Sequence, residues 1–205
     1  MPYPTFYNLP DAKRARIMDA VWQEFTSFSY MDASINRIIQ RAGISRGSFY
    51  QYFSCKADLF SHVLKTIFET GKKMFLAQLT AHNNDLFFAI LGMYDIILWR
   101  NGRPGNPEQQ RIHTLIHLNA QLDMNQFTVH LDCESIARNV QVLMQQSGYL
   151  LETTQECIAL LHMLAAVFTT SLADTMRHPQ NEERNRRMLE QQLLIIRRGL
   201  VPSGG

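Results

Sequence analysis

Arg46, Ser48, Tyr50, Gln51 and Tyr52 fall within seven residues, and no acidic side chain interrupts them. Their chemistry is that of reading an anionic polymer with distinct edges. The Arg46 fork fits the O6 and N7 acceptors of guanine. Gln51 can pair with adenine, and Ser48 with either base. Phe49 and Phe53 stand four apart, so a helix through this stretch has an apolar anchor on one side and the polar set on the other. Ser45 precedes it as a natural N-cap. Gly47 costs such a helix about 1 kcal/mol relative to Ala. That cost is reasonable where another backbone must come close.

A reading helix has to be held. Ser34 is placed to cap a preceding short helix, in which Ile35, Ile38 and Ile39 share one face. Ala42 and Gly43 end it, Gly43 suiting a left-handed C-cap. Ile44 then plugs the turn into the core. Ser54 caps a third helix, with Lys56 and Asp58 in its first turn. A lysine there opposes the helix dipole, which points to a phosphate as its reason. Two short helices joined by a tight turn are the arrangement that places a second helix in the DNA major groove.

This segment resembles the DNA-binding domain of the TetR/AcrR (tetracycline-repressor) family of bacterial regulators. The resemblance rests on an initial helix ending in Phe25, then Ser34, Ile38, Ala42-Gly43-Ile44-Ser45, Gly47, Phe49-Tyr50, Tyr52-Phe53, Lys56 and Leu59. It covers roughly the first third of the chain. One departure is Phe28-Ser29-Tyr30-Met31, where a glycine is common. The resemblance implies that Tyr50, Tyr52 and Lys56 meet phosphates, with Ser34 and Ser45 assisting. It also implies a homodimer on a palindromic double-stranded operator and a small-molecule effector.

The chain has 205 residues and a net charge of +2. Residues 1–73 hold ten Lys/Arg and six Asp/Glu, while the remainder holds ten and twelve. A basic first third suits one end facing phosphate. All five lysines lie in that third, a split for which we have no physical account. Cys55, Cys133 and Cys157 are odd in number and far apart, as expected of reduced thiols in the cytoplasm. No run of about 18 uncharged apolar residues appears, so no membrane span is expected. The first ten residues lack the basic start and apolar core of a secretory signal.

The periodicity predicts an all-α chain: an N-terminal three-helix DNA-binding domain with a helix-turn-helix, joined to a C-terminal helical ligand-binding and dimerisation domain. The expected boundaries are 1–54 and 55–205, with 55–80 a connecting helix. Residues 1–10 form an arm, and Asp11 caps the first helix. Lys13, Arg14 and Arg16 suit either phosphates or a solvated face. His82-Asn83-Asn84 breaks the connecting helix, and further helices span about 85–101, from the loop ending at Pro107 to about Leu122, and near 133–146. The last two run from about Thr154 to Arg177 and Glu182 to Leu200. Their apolar residues Leu161, Leu164, Phe168, Leu172, Leu189, Leu193 and Ile196 are the candidates for a four-helix dimer interface.

Candidates to line a ligand pocket are Phe88, Met93, Tyr94, Trp99, His113, His117, Phe127, Met144 and Tyr149, each equally at home in a core. The ten methionines favour an adaptable apolar site. His113 and His117 stand four apart, the spacing of two metal ligands, but a core or pocket pair is the simpler reading and no metal is expected. No triad, phosphate loop or paired-cysteine motif suggests an enzyme or a cofactor. The expected function is a ligand-released repressor. The rivals are a DNA-binding dimer without a small ligand and a helical small-molecule-binding protein that does not use DNA.

Overall fold

The computed structural model describes residues 2–100, 105–122, 133–146, 149 and 151–200. Among these residues every regular element is helical. Two compact units share the chain, one of Met1–Thr70 with Asn106–His130, the other of Gly71–Gly105 with Leu131–Gly205. The division therefore falls inside the connecting helix rather than at residue 54.

The first unit opens with a single helical turn, α1 (Pro4–Tyr7), inside what the sequence suggested was only an arm. α2 (Asp11–Ser27) follows, with Pro10 rather than Asp11 at the N-cap. α3 (Ile35–Ala42) ends at Gly43, whose φ of 62° and ψ of 41° are the left-handed C-cap conformation. α4 (Arg46–Tyr52) leads into α5 (Lys56–Ala81), 26 residues long. α7 (Pro107–Leu118) also belongs here, because it packs on α2 and buries Leu115 in the same core. A capping box of Asn106 and Gln109 starts it.

That core is aromatic. Phe6, Phe25, Phe49, Phe53 and Phe60 are all essentially inaccessible to solvent. Burial of each contributes about 1.5–3 kcal/mol. Phe49 and Phe53, the anchor pair expected of the reading helix, lie 5.7 Å apart between ring centres.

The second unit contains α6 (Leu86–Ile97), α8 (Cys133–Gln146), α9 (Thr154–Arg177) and α10 (Glu182–Gly199). Asn83 and Asn84, both at positive φ, break the chain after α5, and Asp85 then caps α6 by accepting the Phe87 and Phe88 N–H groups. α9 starts at Thr154, as expected, with a capping box of Thr153 and Glu156. It packs against α8, α10 and α6. Tyr94 of α6 is fully buried and its hydroxyl lies 2.6 Å from Thr175 Oγ1 of α9, which also accepts a hydrogen bond from Asn185 of α10. Arg186 of α10 makes a two-pronged ion pair with Asp95 of α6.

α9 is apolar for a helix with so much of its surface outside the core. By length and composition alone it could cross a membrane, with a mean hydropathy of 1.6 over 18 residues. Only 28% of that window is buried inside the chain. One face packs through Leu160, Leu164, Leu172 and Met176, while Met163, Ala165 and Ala166 point outward.

Candidate nucleic-acid interface

α4 is short and is held from beneath. The Ser45 hydroxyl accepts the Ser48 N–H at 3.1 Å, as expected of its N-cap. Arg46 lies exposed on the first turn. It donates to Asn36 Oδ1 of α3 at 2.9 Å and to the Tyr50 hydroxyl at 3.4 Å, with its guanidinium 5.6 Å from the Tyr50 ring centre. Both partners are neutral, so the charge is oriented without being neutralised. Gln51 and Tyr50 are also exposed, whereas the Ser48 hydroxyl is engaged with that of Ser45 at 2.9 Å. At Gly47 the nearest atom to an added Cβ is Ser45 Oγ at 3.9 Å. Nothing among the described residues requires glycine there.

Tyr52 differs from its expected role. It is only 5% exposed and packs against Phe6, so its ring serves the core rather than an outer face. The physical reason is Phe6, distant in sequence, which packs against the ring.

Lys56 lies at the start of α5, and its ammonium bridges back to the Met31 and Ala33 carbonyls at 3.1 and 3.0 Å, beside the Tyr30 ring. With Arg46, Asn36, Ser34, Ile35 and Ala33 it lines a depression of about 250 Å³ at the amino end of α3. The helix start and two cations make that depression suited to an anion. Ser34 sits at the N-cap of α3, but its side chain makes no cap hydrogen bond. Its N–H donates instead to Glu24 at 2.8 Å.

Glu24 is the residue that sequence patterning missed. A carboxylate in the apolar stripe of α2 would be the only signal. It is completely buried and accepts from Arg37 Nε at 2.8 Å and Arg41 at 3.4 Å as well as from Ser34. Burial pushes its pKa up, but the Arg37, Ser34 and Arg41 hydrogen bonds outweigh that, and the net effect is downward. Asn36 was likewise missed, and Asn119 too. Asn119 is buried at the end of α7 and accepts the Tyr30 N–H at 2.8 Å, holding the turn that precedes α3.

The cations of α2 have structural partners. Arg14 donates to the Tyr7 and Leu9 carbonyls and to Asp11, while Arg16 donates to the Ala42 carbonyl at the end of α3. Lys13 lies 6.0 Å from the Tyr52 ring centre.

The expected ligand-pocket residues do not form one set. Tyr94 and Met144 are buried in the second unit, and Met93, Trp99 and Tyr149 are half-buried there. Phe88 is 52% exposed and stacks on His82, because it points away from the face of α6 that packs. His113 and His117 stack with ring centres 6.3 Å apart, but they belong to the first unit and His117 is exposed. Burial, then the neighbouring His117, lowers the His113 pKa. Phe127 lies outside the described residues, as does the side chain of Cys133. Among the described residues no cluster of three His, Cys, Asp or Glu is placed to hold a metal.

The expected dimer set also needs correction. Leu164, Leu172, Leu189 and Leu193 are 2%, 5%, 0% and 2% exposed within one chain. They are the core side of α9 and α10, since apolar residues at helical spacing go first to the neighbour within the chain. Leu161, Phe168 and Ile196 are half-buried. The outward apolar side chains are Met163, Met188, Leu194 and Ile195, with Ile195 67% exposed.

A helix-turn-helix with an acid-free outer face carrying an arginine has the geometry and charge to enter a DNA major groove. Residues 17–63 match the family described as bacterial regulatory proteins, tetR family. The uncharacterized HTH-type transcriptional regulator YdgC of Bacillus subtilis (strain 168) is 30% identical over 61 residues. That match spans 30% of this chain and 31% of the relative, under a third of its length. A TetR-family transcriptional regulator from Pectobacterium atrosepticum shares the fold with a TM-score of 0.59 at 15% identity, over 95% of this chain and 97% of that one. A TetR transcriptional regulator from Rhodococcus sp. RHA1 does so with a TM-score of 0.52 at 14% identity, over 92% and 98%.

Proposed function

We propose that this protein is a homodimeric transcriptional repressor in the cytoplasm that leaves a palindromic operator when a small, largely apolar effector binds. The observation that carries the DNA reading is the outer face of α4, where Arg46, Tyr50 and Gln51 stand exposed beside an open Gly47. Arg46 and Gln51 read bases. Tyr50, Lys56 and the amino end of α3 with Ser34 hold phosphates and set register. Ser45 and Ser48 keep the helix start in shape.

Pairing is supported by the apolar outer side of α9 and α10. A second copy laid on Met163, Ala166, Met188 and Ile195 gives a four-helix seam. Two reading helices one DNA turn apart, about 34–36 Å, then match a palindrome.

Effector response is the finer part of the proposal. α5 contributes residues to both units and is the element to carry a change. An effector releases DNA only to the extent that it prefers the non-binding arrangement. Tight packing of Tyr94 and Met144 favours a second reading, a DNA-binding dimer whose second unit serves assembly alone. Selection of bound duplexes from a random library at physiological salt tests the main proposal. An enriched palindrome supports it, and salt-sensitive binding without enrichment refutes sequence reading.

A further inference from the structure

The carboxyl end of α4 lacks a conventional cap. Its C-cap residue, Phe53, is extended rather than left-handed, and no glycine follows. The last carbonyls of a helix otherwise need partners. Here they come from the other end of the unit. The Tyr3 N–H donates to the Tyr52 carbonyl at 2.9 Å, and the Thr5 hydroxyl donates to the Gln51 carbonyl. Phe6, next in the chain, is buried, its ring centre 4.9 Å from Phe53 and 5.7 Å from His62. The segment is tied at its far end as well, where Arg14 of α2 donates to the Tyr7 and Leu9 carbonyls. The result is a strap that starts at α2, wedges Phe6 under α4 and caps α4 from outside its own sequence.

We propose that residues 2–9 are a positioning element for DNA reading, in which Thr5 and the Tyr3 N–H set the end of the reading helix. The proposal rests on the DNA-reading function of α4. α4 has seven residues and a glycine at its second position, so it has little helical stability of its own. Its pitch in a groove depends on what holds its two ends. Ser45 holds the amino end through its own hydroxyl, and the strap holds the carboxyl end. Gln51 is at once an exposed candidate base reader and the residue whose carbonyl Thr5 holds, so loosening Thr5 displaces a reading side chain. The strap acts through α4 and needs no contact with DNA.

Thr5 is exposed, so Thr5→Val keeps the shape and removes one hydroxyl with little risk to folding. The test compares the affinities of wild type, Thr5→Val and Thr5→Ser for the selected palindrome and for a scrambled duplex at one salt concentration. The expected result for Thr5→Val is about three- to tenfold weaker palindrome binding, the scale of one neutral hydrogen bond, with scrambled binding unchanged. Thr5→Ser restores the wild-type ratio. Equal losses on both duplexes, or no loss on the palindrome, overturn the strap while leaving DNA reading intact. A wild type that fails to distinguish the two duplexes removes the DNA reading itself and the strap with it.

Discussion

Glu24 and Arg37 form the joint between the first long helix and the helix-turn-helix. The carboxylate is wholly buried, while Arg37 donates to it from Nε at 2.8 Å and approaches through Nη2 at 2.6 Å. The same carboxylate accepts the Ser34 N–H that opens α3. One side chain therefore sets both where α3 starts and how it lies on α2. Replacing Glu24 with Ala leaves that N–H and the two arginines without their acceptor. The expected loss is about 3 kcal/mol of stability, at the low end for a broken buried pair because the arginines retain access to water. Glu24→Gln, which keeps an acceptor, loses less. Urea unfolding of both variants checks the order, and equal, negligible changes would falsify the assignment.

Gly47→Ala separates folding from DNA binding. No atom of the described residues obstructs the new methyl group, and alanine is the better helix former by about 1 kcal/mol. The variant should be as stable as wild type or slightly more so, yet bind the operator at least tenfold more weakly. Unchanged DNA affinity would show that no DNA backbone comes close there.

Arg46 and Lys56 should differ in the kind of loss they cause. Arg46→Ala reduces discrimination between the palindrome and its single-base variants, by about 1–3 kcal/mol at one position. Lys56→Met keeps the aliphatic stem beside Tyr30. It weakens all duplexes together and lowers the slope of log affinity against log salt by about one unit. Salt titrations on two duplexes distinguish the pair, and identical sequence-independent losses contradict the division of roles.

Ile195→Asp tests the outward face of α10. The side chain is mostly exposed in one chain, so a charge there leaves the single-chain core intact. Pairing through this face predicts that sedimentation at micromolar concentration shifts from twice the chain mass to one chain mass. Operator affinity falls with it. A variant that keeps the wild-type mass places the seam elsewhere.

His62 is expected to make the first unit sensitive to acid. Its Nδ1 is buried without a hydrogen-bond partner among the described residues, amid the Phe6, Tyr7 and Phe53 rings. Burial lowers its pKa first, Lys65 adds to that, and Asp58 opposes it. A histidine depressed in the folded state binds fewer protons there than when unfolded. Its contribution is therefore level above about pH 6.5 and falls as pH drops below that value toward the folded pKa. His62→Phe should flatten the fall in melting temperature between about pH 6.5 and 5. An unchanged slope would assign the sensitivity to another group.

Much of the reading head was legible because its signals are local. Ser45 caps the residues next to it, Gly43 takes a left-handed conformation that side chains resist, and Phe49 and Phe53 share a face by helical spacing alone. The expected all-α organisation followed from periodicity in the same way. Tertiary structure decided what depends on distant partners. Tyr52 turned inward because Phe6, far off in sequence, packs against it. Lys56 found the carbonyls of Met31 and Ala33, and Glu24 found Ser34, Arg37 and Arg41. α7 joined the first unit because Leu115 fits the core around α2, while Leu164, Leu172, Leu189 and Leu193 took the inner sides of α9 and α10. An apolar residue's spacing tells which face it occupies, but only the packed chain determines whether that face meets its own core or another molecule.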